Sequence, residues 1–257
     1  CKMPANGYFC GFAAPVHSDF TGLSAAKRFL KRMLTHCMMN PPVRHLLFDC
    51  DGVLVDSEIL ATRVALREMA PYGFHADPAS FSRDFAGMTN EAILNYLADE
   101  KGIRWPKNFY SYLKEKIHEA MEAELMPVRG MPELVRQLPY PKSVVSNSAV
   151  PHVQLSLEKA GLTPDFEGRI FSANMVARPK PDPSLYRMAL HRIGLPPSAG
   201  MVVEDSAFGV RAAKAAGLRV IGFLAAGHIT PEHPDMLRKE GADFVAHSVE
   251  DLGNLLL

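Results

Sequence analysis

Asp49 and Asp51 flank a single cysteine in a DCDG run that closes the short apolar stretch VRHLLF. Further along, Ser146 and Asn147 follow the apolar VV, Lys180 stands in PKPDP, and Glu204 with Asp205 follows MVV. A carboxylate can attack a phosphate ester only if cations offset the repulsion between the anions and donors receive the transferred group. This set of residues supplies those parts. Asp49, Asp51 and Asp205, with Glu204 acting through water, offer oxygens suited to a hard divalent cation such as magnesium. Lys180 can neutralise and orient Asp49, while the Ser146 hydroxyl and the Asn147 backbone N–H can hold phosphate oxygens. Asp51, close to the nucleophile in the chain, is placed to protonate a leaving alcohol and then to activate water.

Taken singly, each group has an ordinary structural explanation. An isolated DxDG is most often a solvated turn, and the EF-hand alternative fails because the glycine comes too early and position twelve would be Leu60. A lone lysine such as Lys180 is usually on the surface, and a lone Ser146 is usually a turn or cap residue. Glu204 and Asp205 suit the start of the helix expected near Ser206. It is their joint order that argues for a site.

The elements that must position these groups alternate along the chain. VRHLLF has strand length, and Glu58 to about Ala70 and Asn108 to Leu125 have helical periodicity. Residues 58–127 contain no convincing strand and are expected to form a separate helical block closed by Pro127 and Gly130. Beyond it, strands are expected at Ser143–Ser146, Arg169–Phe171, Met201–Val203, Arg219–Phe223 and Asp243–Ala246. Between them come helices near Pro132–Leu138, Val150–Ala160, Ser184–Ile193 and Phe208–Ala216, and one capped by Thr230 with Pro231 first. Such alternation implies an α/β fold whose parallel sheet is covered by helices, with ligands outside the carboxyl ends of the strands.

Composition narrows the partners. The 28 Lys and Arg balance 28 Asp and Glu, so no net field favours nucleic acid or an anionic membrane surface. No uncharged apolar run has the length of a spanning helix, and a soluble protein is expected. Cys1, Cys10, Cys37 and Cys50 form no CxxC pair, which suggests a reducing, cytoplasmic setting in which Cys50 is a small buried spacer. Residues 1–42 show no sustained period and are expected to be a disordered leader. A transit peptide, or a mis-assigned start upstream of Met38 or Met39, stays open.

LLFDCDGVLVDSE resembles the first motif of haloacid dehalogenase superfamily phosphatases, VVSNS the second, PKPDPSLY the third and VVEDSAFGV the fourth. Tyr186 falls where an aromatic is expected, which puts Lys180 rather than Arg178 in register. The resemblance covers about residues 44–257 and implies a Rossmann-like, doubly wound core of residues 43–57 and 129–257. It also implies an inserted all-helical cap, residues 58–128, like that of the β-phosphoglucomutase-like and 6-phosphogluconate phosphatase-like branch. Such a cap closes on hinges near Ser57 and Pro127–Gly130, and its loop AGMTN would bring Gly87, Thr89 and Asn90 to the substrate. Without the resemblance, that loop is a helix connection with Thr89 or Asn90 as N-cap.

The resemblance implies a Mg2+-dependent phosphoric monoester hydrolase, a monomer acting on a phosphorylated sugar or sugar acid through a phospho-aspartate. The acidic Asp51 argues against a dehalogenase. Ala86, Asn90 and Ala149 stand where a phosphoglucomutase has basic groups, which argues against a mutase; Arg83 and His152 are the possible substitutes, though each is expected on a helix surface. The intact motifs argue against a non-catalytic binder of phosphorylated ligands.

Overall fold

The computed structural model describes residues 42–85, 88–166 and 168–257, so the expected leader falls, but for Pro42, outside the described residues. The strands β1 (His45–Phe48), β2 (Lys142–Ser146), β3 (Ile170–Ser172), β4 (Gly200–Glu204), β5 (Arg219–Phe223) and β6 (Phe244–Ala246) form one sheet in the order β3-β2-β1-β4-β5-β6. Every pairing is parallel. The first strand is central and the chain winds outward from it both ways, so β1, β2 and β4 end side by side at the reversal point where doubly wound sheets bind ligands.

Both faces of the sheet are covered, as unbroken apolar strands require. Leu46, Phe48, Val144, Met201, Val203 and Ile221 pack on one side with Leu157, Phe166 and Leu252. Leu47, Val145, Val202 and Val220 pack on the other with Leu185, Tyr186 and Val210. These residues alternate along each strand, the period of two expected of a pleated backbone.

Between β1 and β2 come α1 (Ser57–Met69), α2 (Pro78–Asp84), α3 (Asn90–Lys101) and α4 (Phe109–Glu124). The chain enters and leaves this block along paired segments: Asp56 N–H donates to Met126 O at 3.0 Å and Val128 N–H to Leu54 O at 3.1 Å. Leu60 and Val64 of α1, with Ala120 and Met121 of α4, pack into the sheet's core. Ala65 and Met69 of α1, Phe81 of α2, Ile93, Leu94 and Leu97 of α3, and Phe109 and Leu113 of α4 make a separate cluster. Among the described residues no helix is long and apolar enough to cross a membrane.

The remaining helices are α5 (Met131–Gln137), α6 (Val150–Lys159), α7 (Thr163–Phe166), α8 (Ser184–Ile193), α9 (Ala207–Ala215), α10 (His233–Lys239) and α11 (Val249–Leu256). The helix expected to begin at Pro231 begins instead at His233, with Pro234 in its first turn. Either proline tolerates such a position. Thr230 does not cap the helix; its backbone N–H donates to His233 Nδ1 at 3.0 Å, and Thr230 and Pro231 stay in the loop. The helix α11 closes the chain without having been marked by the sequence pattern.

Candidate active site

The ends of β1, β2 and β4 carry the reactive groups, and Lys180 reaches them from the loop after β3. The Lys180 ammonium has three donors and uses all of them: on Asp49 Oδ1 at 2.9 Å, Glu204 Oε1 at 2.6 Å and Val145 O at 2.6 Å. Its side chain is 3% exposed and that of Glu204 is 0% exposed, so neither is the surface residue that its type alone would suggest. A buried ammonium is tolerable only with full pairing. Burial works against its charge, but Asp49 and Glu204 outweigh that and hold Lys180 protonated well above the usual lysine range.

The loops are fastened so that the ammonium arrives there. Asn147 Nδ2 donates to Lys180 O at 3.0 Å, and Asn147 Oδ1 accepts from Lys180 N–H at 3.0 Å. This clasp joins the loops after β2 and β3. Tyr186, on α8, donates its hydroxyl to Glu204 Oε1 at 3.2 Å, and Lys180 Nζ lies 5.1 Å from the ring centroid. The Glu204 carboxylate also accepts from the Ser206 backbone N–H at 3.2 Å, so it does serve the start of α9 as well. Gly209 is required opposite it, since a Cβ there would fall 1.7 Å from Glu204 Oε1. Arg178 stays at the surface, paired with Asp182 at 3.2 Å.

Asp49, Glu204 and Asp205 each present an oxygen within 4.8 Å of the others, all buried. Burial is the main force raising the Asp49 carboxyl well above its ordinary range, with Glu204 adding to it and Lys180 opposing. Burial also raises Asp205, against the bond from His228. The Lys180 ammonium pairs with two of these three carboxylates, and hard oxygen donors grouped in this way fit a divalent cation.

The Asp51 carboxylate, the remaining acid expected at the metal, stands in an adjoining network. It accepts from Ser57 Oγ at 2.6 Å and Ser148 Oγ at 2.6 Å, and meets His152 Nε2 at 3.1 Å. Burial alone would raise its carboxyl, yet these three bonds bring it below the ordinary aspartate range. Ser146 is buried, and its Oγ accepts from the Ser148 backbone N–H at 3.0 Å. The helix-surface expectation for His152 is therefore corrected: α6 begins just after β2, and its first turn delivers the imidazole to Asp51. Arg83 does remain exposed on its helix, paired with Asp84 at 3.1 Å.

Thr89 caps α3 by accepting from Ala92 N–H at 3.2 Å, and Asn90 is the first residue of that helix. Among the described residues neither is hydrogen-bonded to the groups at the sheet edge, and Gly87 lies outside the described residues. His228 was missed altogether. Its Nε2 lies 3.0 Å from Asp205 Oδ2, in the loop after β5. The sequence signal for it is its place after a strand, the same feature that marks the groups after β1, β2, β3 and β4. Cys50 is a free, buried thiol as expected.

The sequence profile of the haloacid dehalogenase-like hydrolases matches residues 46–223. The 6-phosphogluconate phosphatase of Escherichia coli is 28% identical over 194 residues, which span 75% of this chain and 88% of that protein. Crystal structures give the same picture. A conserved haloacid dehalogenase-like protein of Agrobacterium tumefaciens superposes with a TM-score of 0.77 at 35% identity, over 82% of this chain and 96% of that one. A hydrolase of the same family from Deinococcus radiodurans, solved with bound phosphate and sodium, superposes with a TM-score of 0.76 at 33% identity, over 84% and 98% of the chains. The chain belongs to the haloacid dehalogenase-like hydrolases, and its class of enzyme is the phosphoric monoester hydrolase.

Proposed function

We propose that this protein hydrolyses a small phosphorylated sugar or sugar acid with Asp49 as nucleophile and Mg2+ as cofactor. The observation that carries this reading is the Lys180 ammonium, which joins Asp49 to Glu204 inside the buried acidic group. Phosphatases of such metabolites among the relatives, and the phosphate in the Deinococcus structure, support the substrate class.

Asp49, Asp205 and Glu204 would hold the magnesium ion, which when bound supplies positive charge to the phosphate oxygens. Lys180 orients Asp49 and opposes the protonation that burial favours. Asp49 Oδ attacks phosphorus as the bond to the leaving oxygen breaks, while the Ser146 hydroxyl and the Asn147 backbone N–H receive the equatorial oxygens. Asp51 donates a proton to the leaving alcohol and then takes one from the water that cleaves the phospho-aspartate. To do so it must first take up a proton from solvent as its bonds with Ser57, Ser148 and His152 give way to the substrate, because they hold it as a carboxylate.

Residues 58–128 act as a cap over a core of residues 43–57 and 129–257, moving on the paired segments near Asp56 and Pro127. Thr89 and Asn90 line the substrate's far side once the cap closes. The working unit is a monomer in the cytoplasm. Purified protein should release phosphate from p-nitrophenyl phosphate with magnesium, stop when the ion is chelated, and recover when it is restored. Asp49→Asn should remove turnover while leaving the circular dichroism spectrum unchanged; activity that survives this substitution overturns the reading. A panel of sugar and sugar-acid phosphates then ranks the substrates.

A further inference from the structure

The loop between β5 and α10 does more than connect them. His228 Nε2 lies 3.0 Å from Asp205 Oδ2, with the two side chains 13% and 5% exposed. The imidazole is held from two further sides. His233 stands edge-on to it at 5.6 Å between ring centroids, and its own Nδ1 accepts from Thr230 N–H at 3.0 Å. On the other side is Gly52 of the DCDG turn, with φ of +73°, where a Cβ would fall 1.9 Å from Asp205 Oδ2 and 2.7 Å from His228 Cε1. Only hydrogen fits there, so the turn carrying Asp49 packs directly on the bonded pair.

The same loop is anchored next door. Gly227 N–H donates to Asp56 Oδ1 at 2.9 Å, at the entrance to α1, and a Cβ on Gly227 would meet Asp56 Oδ2 and Ile59 Cγ2 at 3.1 Å each. His228 therefore sits on backbone tied down on one side by Asp56 and on the other by α10. That is the arrangement of a ring whose orientation is set before any ligand arrives.

We infer that His228 is a positioning residue for the metal carboxylate Asp205: its Nε2–H occupies Oδ2, fixes the carboxylate's rotation and leaves the other oxygen to the cation. The inference rests on the proposed magnesium site. A hard ion with strict octahedral demands gains from a carboxylate restrained to one-oxygen binding, and outer partners of metal ligands typically govern affinity by 10–100-fold. His228 donates to the ligand and is not a ligand itself.

The test is calorimetric titration of the metal-free full chain with magnesium chloride, which needs no turnover. His228→Phe keeps a ring against His233 and Gly52 but has no donor, and should weaken binding about 10–100-fold. His228→Ala serves in its place if that variant does not fold. His228→Asn retains an N–H and should recover much of the lost affinity. Unchanged affinity on losing the donor, or an equal loss in the Asn variant, overturns the inference. Failure of the wild type to bind magnesium removes the metal site itself and is read separately.

Discussion

The sheet edge and the helical block are stabilised by opposite means. At the edge, Lys180, Glu204 and Asp205 are buried polar groups with partners far away in the chain. In the block, Phe81, Leu97, Phe109 and Leu113 are buried in an apolar cluster, extended by rings such as Trp105 stacked on Phe109 at 4.8 Å. Its polar residues are mostly exposed and bonded to near neighbours, as Thr89 is to Ala92. A buried polar network admits one arrangement, because any lost partner leaves an uncompensated charge or donor. An apolar cluster tolerates exchange of its members and of the surface around it. Buried polar groups are thus concentrated where substitution is costly, and the exposed polar surface of the block lies where it is not.

Lys180→Met should have the largest effect. It leaves Asp49 and Glu204 facing each other without their ammonium, so turnover should vanish, and breaking the buried pair should cost about 3–5 kcal/mol in denaturant unfolding. Asp51→Asn should come next, lowering kcat about 10²–10⁴-fold and also lowering stability, because the carboxylate accepts from Ser57 and Ser148 and meets His152. If Lys180→Met leaves stability untouched, the contrast between a rigid edge and a tolerant block is broken.

Leu97→Ala, in the centre of the block's cluster, should cost about 2–5 kcal/mol. That loss should appear in the unfolding of the block and in KM, with magnesium affinity retained; a matching loss of magnesium affinity would show that the regions are not separable. The smallest effect should come from His45, at the other end of the sheet, bonded to Ser143 Oγ at 2.8 Å. Burial, then the Arg169 charge, lowers its imidazole to about 4 from 6.5, so the folded protein keeps it neutral where the unfolded chain protonates it. Stability should therefore fall as pH drops from about 6.5 to about 4, by about 3 kcal/mol at most, and level off below. His45→Gln should flatten that part of the thermal melting profile.

Much of this was legible beforehand. β5 and α8 have the bounds that their apolar pattern marks, and Asp49, Ser146, Lys180, Glu204 and Asp205 could be named from their places at or after strand ends. The start of α10 was misplaced because Pro231 and Pro234 are equally good first-turn residues locally. His152 looked like a helix-surface residue because its helical position says nothing of what stands opposite it.

Local spacing alone determined that acids, a hydroxyl, an amide and a lysine would stand at strand ends in an alternating α/β chain, because strand and helix periods are written in neighbouring residues. Which partner each would take was decided only in three dimensions. Asp51 joins Ser57, Ser148 and His152 instead of the acidic group, Asn147 clasps the Lys180 backbone, and His228 meets Asp205. These contacts join segments that no periodicity relates. Their geometry follows from how the parallel strands align in register and where the loops between them are tied.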